Sequence, residues 1–468
     1  MEKIYDFEQY LGLNLDFSSI VNSTLDLKPG SILCIDNEDI DKLDYLIDQA
    51  LKKGINKILT SSKSKISNDK VYRFEDYEKV FDDVLYNINP SYKDKTYFAI
   101  TGTNGKTTTG YLLNSLLGDS SIFVGTIDED NLFEFTNERH LTTPKLFNLV
   151  KMLSLVDKNI NNVVLEVSSH ALTQKRLNGL YFKMSGFTNL SQDHLDYHNS
   201  MDEYFEEKTK LFNKNTSEEF AYIVSEYGDK LNEIYDSRGI SIGNKKDDKV
   251  QLNSYSYDSI DFDIDGINIK SKLKISGPEI INNFLLAFSM AYFSKVKDIN
   301  ELKNQIPLLK NPKGRYEVIN YENGDIIVDY SHTPEAIEKV IKYTKERYKK
   351  DIIVVFGAGG NRDTSKRKFM GKAVQDAEKI IITNDNPRKE NQFDISKQIL
   401  EGIDLKKNVE VVLDRREAIR KGINLLDGNN TLLVLGRGHE KFQEIGDKLF
   451  RFDDIEVVRE EIGIKWLE

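Results

Sequence analysis

A glycine-rich segment between an apolar strand and an apolar helix carries the strongest chemical signal in this sequence. It reads YFAITGTNGKTTTG over residues 97–110, and Gly102 and Gly105 are three positions apart instead of the five of the common phosphate-binding loop. Glycines let backbone N–H groups face an anion, and the helix N-terminus adds a favourable dipole. Lys106 can reach β- and γ-phosphates, and the Thr107 hydroxyl can ligate Mg²⁺. We predict a nucleotide site here, in preference to a glycine turn with a surface lysine.

Acidic and histidine side chains follow two further strand-like segments. VVLEVSSHAL places Glu166 at the end of a buried strand, and FTNLSQDHLDYH places Asp193 and His194 just past the next one. Ligands of open α/β sheets bind at the carboxyl ends of strands, and a buried carboxylate is costly unless it is paired or metal-bound. Glu166, His194 and Thr107 could together hold Mg²⁺, with a hydrogen-bonded cluster without metal as the alternative. Zinc is disfavoured because there is no cysteine pair.

The composition limits the class of protein. A chain of 468 residues with 39% hydrophobic and 30% charged residues predicts two to three globular domains. The net charge of −11 argues against a general nucleic-acid or anionic-membrane partner. The single cysteine, Cys34, excludes an internal disulfide framework and fits a reducing compartment. The N-terminus lacks a secretion signal, and no segment approaches the ~20 apolar residues of a membrane span. We therefore expect a cytoplasmic enzyme.

Alternating strand-like and helix-like segments predict an α/β fold with three domains. Residues 1–95 form a small N-terminal α/β domain with strands SILCID and KILTS and the amphipathic helix DKLDYLIDQALKKG. Residues 96–311 form a central P-loop domain with a mainly parallel sheet, extended at about 244–275 by short antiparallel strands. Residues 312–468, with strands such as DIIVVFGAGG and TLLVLGRG, form a C-terminal Rossmann-like domain.

Eight segments occur in an order that resembles the Mur ligases of peptidoglycan synthesis. They are TGTNGKTT, LTTP, EVSSHAL, FTNLSQDHLDYH, DYSHTPEAIEK, FGAGGNRD, DNPR and GRGHEKFQ. The resemblance covers about residues 96–468, and eight motifs in register are far more specific than any one of them. Within the family, the chain most resembles the ligases that add a diamino acid to a UDP-linked muramoyl dipeptide.

The resemblance implies an ATP-dependent amide ligase of peptidoglycan precursor synthesis that forms an acyl phosphate. ATP would phosphorylate the D-glutamate γ-carboxylate of UDP-N-acetylmuramoyl-L-alanyl-D-glutamate, and the amine of meso-2,6-diaminopimelate would then displace phosphate. A carboxylate resists amine attack until phosphate provides a leaving group, and Mg²⁺ neutralises the crowded negative charge. L-lysine or meso-lanthionine as the amino acid, a folylpolyglutamate synthetase, and a non-catalytic nucleotide-binding relative remain alternatives. The family also implies a monomer.

The resemblance implies site residues as well. Lys208 by itself looks like a solvated helix lysine paired with a glutamate, but it aligns with a family lysine that is carbamylated and can then hold a second Mg²⁺. The implied catalytic residues are Lys106, Glu166, His194 and Lys208, and the implied metal ligands are Thr107, Glu166, His194 and the Lys208 carbamate. The implied ATP contacts are Gly102, Thr103, Asn104, Gly105, Lys106, Thr107, Thr108, Asn283, Arg315, Asp329 and His332. The implied uridine-nucleotide contacts are Ser23, Thr142, Thr143, Ser168, Gln174 and Arg176. The implied diaminopimelate contacts are Arg362, Asp385, Asn386, Pro387, Arg388, Gly436 and Glu440.

The charge of Arg388 suggests how the amino acid is selected. Meso-diaminopimelate differs from lysine by a second carboxylate, which a guanidinium can hold through two charge-assisted hydrogen bonds. Lysine would leave that buried cation unpaired, at a cost on the order of several kcal/mol. The alternative is an Asn-Pro turn with a solvated arginine.

Two departures from the family pattern stand out. The first domain retains only Ser23 of the usual Asp-Ser-Arg triplet, within VNSTLDLKPGSILCID, and lacks the glycine-rich segment that normally follows. Arg437 in GRGHE replaces a common lysine and keeps its charge. Neither departure affects the residues implied in phosphoryl transfer.

Overall fold

Helices and strands alternate along the chain, which confirms the predicted α/β class. The computed structural model describes residues 4–127, 141–156, 159–195, 197–404 and 406–463. Two compact units contain them. The first unit comprises Met1–Thr101, Gly118–Ser185 and Glu207–Glu218, and the second comprises Gly102–Leu117, Gly186–Glu206 and Glu219–Glu468. None of the helices in these described ranges is long and apolar enough to cross a membrane.

Helices and strands are numbered separately, each in chain order. The helices are α1 (Phe7–Leu11), α2 (Ile40–Lys52), α3 (Tyr77–Ile88), α4 (Lys106–Leu117), α5 (Leu146–Leu153), α6 (Ser169–Thr173), α7 (Met201–Thr209), α8 (Glu226–Ile234), α9 (Ile280–Phe293), α10 (Ile299–Gln305), α11 (Pro334–Tyr348), α12 (Lys366–Ala373), α13 (Gln392–Leu400), α14 (Arg415–Asn424) and α15 (Asp454–Glu461). The strands are β1 (Ile4–Tyr5), β2 (Ile20–Val21), β3 (Ile32–Cys34), β4 (Lys57–Ser61), β5 (Val71–Phe74), β6 (Thr96–Thr101), β7 (Ser121–Val124), β8 (Asn162–Glu166), β9 (Phe182–Phe187), β10 (Ser217–Ile223), β11 (Ile240–Gly243), β12 (Val250–Tyr255), β13 (Ser259–Ile264), β14 (Ile267–Lys272), β15 (Glu317–Ile319), β16 (Ile326–Asp329), β17 (Asp351–Phe356), β18 (Lys379–Ile382), β19 (Asn408–Val411), β20 (Asn430–Leu435), β21 (Phe442–Ile445) and β22 (Lys448–Arg451).

The first unit contains a parallel five-stranded sheet in the order β1-β5-β4-β3-β2. Leu33 and Ile58 on its strands pack against Leu43 and Ile47 of α2, so the apolar stripe of that helix closes a small core. These elements confirm the SILCID and KILTS strands and the amphipathic helix. The same unit pairs β7, β8 and β6 in parallel, which leaves Glu166 as the last residue of β8.

The second unit contains a six-stranded sheet in the order β15-β16-β20-β17-β18-β19. Its strands are parallel except for β15, and buried apolar side chains cover both faces, as expected of a doubly wound sheet. The antiparallel pairs β12–β13 and β13–β14 confirm the antiparallel extension predicted at about 244–275. The short strand β15 and the hairpin of β21 and β22 were not predicted.

A buried ion pair fixes the end of β20. The Arg415 guanidinium of α14 donates from Nε and Nη2 to the two carboxylate oxygens of Asp454 of α15, at 2.8 and 2.6 Å. Nη2 also donates to the backbone oxygen of Leu435, the last residue of β20, at 2.9 Å. Both charges are fully buried, so each needs the other as a partner. The pair therefore fixes the end of β20, after which the GRGHE segment leaves the sheet.

Candidate active site

The glycine-rich loop lies between β6 and α4 and has a shape that requires its two glycines. Gly102 and Gly105 have φ angles of +146° and +85°, which side chains with a Cβ rarely adopt. A Cβ on Gly102 would collide with Thr188, and a Cβ on Gly105 would collide with the Asn283 amide. The spacing seen in the sequence therefore reflects two close backbone approaches.

The segment that follows β9 holds this loop in place. Asn189 accepts the Thr103 N–H through its backbone oxygen at 2.9 Å and the Asn104 N–H through its side chain at 3.0 Å. Ser191 donates its N–H to the Thr103 hydroxyl at 3.0 Å. These hydrogen bonds attach the loop to the segment that follows β9.

The cationic and hydroxyl groups at the start of α4 are held by neighbours. The Lys106 ammonium donates to the backbone oxygens of Gly102 and Thr103, at 3.1 and 2.7 Å, so it lies across its own loop. Arg315 Nη2 donates to the Thr107 hydroxyl at 3.4 Å. This arrangement places two cations at a helix N-terminus, where anions are favoured.

A pocket in the second unit brings together most of the predicted ATP contacts. Those that line it are Asn104, Gly105, Thr108, Asn283, Arg315, Asp329 and His332. Sequence reasoning missed several further lining residues, among them Asn189, Tyr330, Glu335 and Lys339. Tyr330, Glu335 and Lys339 lie inside the DYSHTPEAIEK motif, and Asn189 lies inside FTNLSQDHLDYH, so the two motifs were the available signals for them.

Arg315, Tyr330 and His332 lie close together along one side of the pocket. The Arg315 guanidinium carbon lies 4.1 Å from the Tyr330 ring centroid. The His332 and His439 rings lie 4.6 and 5.0 Å from the same ring. Arg315 Nε is buried and has no hydrogen-bond partner among the described residues. A buried donor of this kind favours an acceptor supplied by a ligand.

Asp329 has mainly a supporting role. One carboxylate oxygen accepts the Tyr316 N–H at 2.7 Å, and the other accepts the N–H of Ser331 at 2.8 Å as well as its hydroxyl. The carboxylate therefore shapes the DYSHTP turn from within.

Asp193, in the segment that follows β9, lies close to positively charged side chains that include Lys366 at the start of α12. Burial favours the neutral form of Asp193, but His194, His332, Lys366 and Lys106 together lower its pKa. Burial, with a further contribution from Lys366, lowers the pKa of His332. His194 has a φ of +54°, and its Nε2 lies 3.4 Å from an Asp193 oxygen. His332 is thus kept neutral, and its Nδ1 lies 2.9 Å from the Tyr330 backbone oxygen.

In the first unit, Glu166 lies among the residues predicted to hold the uridine nucleotide. The buried Glu166 carboxylate accepts the Thr126 N–H at 3.0 Å, and its backbone oxygen accepts the Thr143 hydroxyl at 2.8 Å. Arg176 Nη1 donates to the Thr143 backbone oxygen at 2.8 Å, and the Ser168 N–H donates to the Thr143 hydroxyl at 3.0 Å. Thr143 is the centre of this cluster.

The remaining predicted uridine-nucleotide contacts divide into two groups. Thr142 accepts the Thr126 hydroxyl at 3.2 Å, and Gln174 accepts the Arg176 Nε at 2.9 Å, so both join the same cluster. Ser23 instead accepts the N–H of Leu25 within its own turn, at 3.2 Å. The structure therefore brings five of the six residues together and gives Ser23 a local hydrogen bond.

Lys208 differs from the solvated lysine that the sequence suggests. It lies near the end of α7 in the first unit, and its side chain is only 1% exposed. The neighbouring Glu207 accepts the Thr173 hydroxyl at 3.0 Å and thereby attaches this turn to α6. Lys208 is therefore a core residue of this part of the first unit and not a solvated surface lysine.

The acidic residues predicted to contact the amino acid form a network in the second unit. Asn386 donates to Glu440 Oε2 at 2.8 Å and accepts from the fully buried Arg437 at 2.9 Å. Gly436 has a φ of +112° and leaves room for Asp385. A Cβ on Gly436 would collide with the Asp385 carboxylate. The positive charge of Arg437 therefore offsets the negative charge of the network, which explains why a cation is needed at this position of GRGHE.

Arg388 has partners that sequence analysis did not foresee. Its Nε donates to Glu444 Oε2 at 2.9 Å, and its Nη1 donates to the Gly360 backbone oxygen at 2.7 Å. Arg362 approaches the same glycine turn at Gly359. Arg388 is half-buried and already paired, so the expectation of a buried cation that lysine would leave unpaired is too strong.

Burial and repulsion by Asp385 raise the pKa of Glu440 from 4.5 to about 7, against the opposing effects of Arg437 and Asn386. Between about pH 4.5 and 7, Glu440 therefore carries a proton in the folded protein but has lost it in the unfolded chain. Over this range the unfolded state binds fewer protons, so stability falls as the pH rises. We expect Glu440→Gln to remove this fall, worth on the order of 2 kcal/mol.

The measurement is the free energy of unfolding in urea at pH 5 and pH 8 for both proteins. Glu456→Gln, at a residue outside this network, is the matched control and should keep the wild-type pH response. Parallel pH profiles for Glu440→Gln and the wild type would contradict the raised pKa.

Comparisons with known proteins agree with this picture. Residues 100–291 match the model of the Mur ligase middle domain, and residues 314–438 match that of the Mur ligase, glutamate ligase domain. UDP-N-acetylmuramoyl-L-alanyl-D-glutamate–2,6-diaminopimelate ligase 1 of Clostridium acetobutylicum is 35% identical over 444 residues, covering 92% of this chain and 91% of that protein. A solved structure of a UDP-N-acetylmuramoyl-L-alanyl-D-glutamate–2,6-diaminopimelate ligase is 24% identical, covers 98% of this chain and 99% of its own, and has a TM-score of 0.64. The MurF ligase of Thermotoga maritima in complex with ADP is 16% identical, with coverage of 96% and 99% and a TM-score of 0.63.

Proposed function

This chain belongs to the Mur ligase family, and we propose that it is the ATP-dependent ligase that joins meso-2,6-diaminopimelate to the D-glutamate γ-carboxylate of UDP-N-acetylmuramoyl-L-alanyl-D-glutamate. The observation that carries the proposal is the similarity to ligases of this name along nearly the whole chain. The proposed compartment is the cytoplasm, where ATP is available, and the proposed state is a monomer.

The family is ATP-dependent, and the glycine-rich loop with its pocket is the proposed ATP site. Backbone N–H groups, the α4 N-terminus and Lys106 would receive the phosphates. Arg315, held by its stack on Tyr330, has a buried Nε available to a ligand acceptor. The neutral His332 adds a polar contact without repelling the other cations.

The proposed Mg²⁺ ligands are Thr107, Glu166, His194 and a carbamylated Lys208. Hydroxyl, carboxylate and imidazole groups suit this ion, which keeps several waters and needs few protein ligands. Within the described residues, no three His, Cys, Asp or Glu side chains converge on one point. Mg²⁺ would supply positive charge that neutralises the substrate carboxylate and the γ-phosphate.

The cluster around Thr143 is the proposed site for the uridine-linked substrate. Thr142, Ser168, Gln174 and Arg176 belong to it, and Arg176 supplies a cation suited to a diphosphate. Ser23 is proposed as a further contact from the N-terminal domain. The three domains themselves, 1–95, 96–311 and 312–468, are proposed by analogy with the family.

The network around Asp385, Asn386 and Glu440 is the proposed site for the amino acid. Its carboxylates would receive an ammonium group, and Arg388 with Arg362 would receive a carboxylate. Gly436 and Pro387 shape the backbone at this point. A substrate with an ammonium and a carboxylate at its free end matches both charges, which favours diaminopimelate over lysine.

Phosphate release tests the proposed reaction. We expect release from ATP only when both UDP-N-acetylmuramoyl-L-alanyl-D-glutamate and meso-2,6-diaminopimelate are present, together with a product whose mass is that of the amide. Release with neither substrate would indicate a simple ATPase, and no release would indicate a non-catalytic nucleotide-binding protein. Competing L-lysine and meso-lanthionine in the same assay would identify the preferred amino acid.

A further inference from the structure

The backbone of Arg388 is attached to β21 of the hairpin that sequence analysis missed. Its N–H donates to the Glu444 backbone oxygen at 3.0 Å, and its own oxygen accepts the Gly446 N–H at 2.8 Å. These bonds form a bridge between Arg388 and Ile445. Arg388 itself has a φ of +51°, which a non-glycine residue adopts only when its surroundings hold it there.

The guanidinium is held at two further points. Nε donates to Glu444 Oε2 at 2.9 Å, and Nη1 donates to the Gly360 oxygen at 2.7 Å. The two side chains are 22% and 35% exposed, so the pair is partly open to solvent and to ligands. Nη2 donates to no residue in the described part of the chain.

Two bonds on different nitrogens fix the plane of a guanidinium, while the remaining N–H groups stay available. A planar fork that is already oriented loses less entropy when it binds a carboxylate through two hydrogen bonds. We propose that Glu444 is a positioning residue, which orients Arg388 toward the distal carboxylate of the diamino acid and thereby contributes to amino acid selection. This inference rests on the proposed function.

The opposite effect of Glu444 is also physically possible. Its negative charge reduces the pull of Arg388 on a carboxylate, so removing it could strengthen binding. Orientation is the larger effect here, because a partly exposed charge is screened by water, whereas a two-point hydrogen bond depends on the guanidinium plane. The two effects predict changes of opposite sign in the same measurement.

The test compares Glu444→Ala and Glu444→Gln in steady-state assays with meso-2,6-diaminopimelate, L-lysine and ATP varied in turn. Glu444→Ala should raise the KM for diaminopimelate roughly 10-fold and lower the preference for diaminopimelate over lysine by a similar factor. kcat and the KM for ATP should change less than about twofold. Glu444→Gln keeps an oxygen that accepts from Nε, so it should stay within about threefold of the wild type.

Glu456→Ala is the matched control, because it removes a carboxylate from a similar ion pair with Arg451, at 2.9 Å, outside this site. An unchanged or lower KM for diaminopimelate in Glu444→Ala would overturn the proposal. Equal losses toward diaminopimelate, lysine and ATP would overturn it as well, since they indicate a merely structural role. If the wild type uses no diaminopimelate at all, the proposed function fails first and this inference fails with it.

Discussion

Lys208→Ala is expected to lower kcat by roughly 10²- to 10³-fold, the usual effect of removing one group that stabilises charge in a transition state. A carbamate on Lys208 would be an anion able to hold Mg²⁺, and alanine cannot form one. Added acetate or formate should recover part of the activity, because a small carboxylate can occupy the space that the side chain leaves. The measurement is kcat at saturating substrates, with and without the added anion.

A carbamate at Lys208 would form when the neutral amine attacks carbon dioxide. Lys208 is 1% exposed, so a carbamate formed there would be shielded from bulk water. Carbon-13 NMR of protein incubated with labelled bicarbonate should show a carbamate signal that Lys208→Ala lacks.

Lys210→Ala is the matched control, since Lys210 lies two residues further along, is 59% exposed and pairs with Glu207. It should retain wild-type kcat. A Lys208→Ala variant with unaffected turnover, or an equal stimulation of the control by the added anion, would refute the carbamate.

The elements that sequence analysis predicted are those whose cause is local. Short apolar runs became β8, β17 and β20, and the glycine spacing of the phosphate loop reflects two positive φ angles. The antiparallel extension was visible from its alternating pattern and charged turns. In each case, a short stretch of sequence contains the signal, even where distant residues such as Thr188 and Asn283 supply the close approach that requires the glycines.

The features that sequence analysis missed depend on distant residues. Lys208 follows two glutamates, as an exposed lysine would, and only packing in the folded chain buries it. Glu444 and Arg388 are 56 positions apart in the sequence. The hairpin of β21 and β22, which contains Glu444, exposes Phe442, Leu449 and Phe450, so its hydrophobic pattern does not resemble that of a half-buried strand. Neither the burial of Lys208 nor the pairing of Glu444 with Arg388 has a signature within a short window of sequence.

Arg388→Ala is expected to reduce kcat/KM for meso-2,6-diaminopimelate by roughly 10²- to 10³-fold, equivalent to about 3–4 kcal/mol. The guanidinium would otherwise give two charge-assisted hydrogen bonds to the distal carboxylate. The KM for ATP should change less than about twofold, because Arg388 is not among the residues that line the proposed ATP pocket. Equal losses for diaminopimelate and ATP would count against the carboxylate contact.

The pair with Glu444 makes this prediction sharper. In Arg388→Ala the Glu444 carboxylate loses its partner and lies close to where the carboxylate of the ligand would bind, so repulsion between like charges adds to the loss. Removing Glu444 as well should therefore recover about threefold to 10-fold of the activity toward diaminopimelate. Arg451→Ala, which breaks an exposed pair in the same unit, is the matched control and should leave both KM values unchanged.

The sign of the Glu444 effect is the decisive readout of this double-mutant cycle. Glu444→Ala should be harmful while Arg388 is present, because the guanidinium loses its orientation. The same substitution should be beneficial when Arg388 is absent, because only a repulsive charge is removed. Residues that contribute independently would give the same change in both backgrounds, so a reversal of sign requires that Glu444 act on the ligand through Arg388.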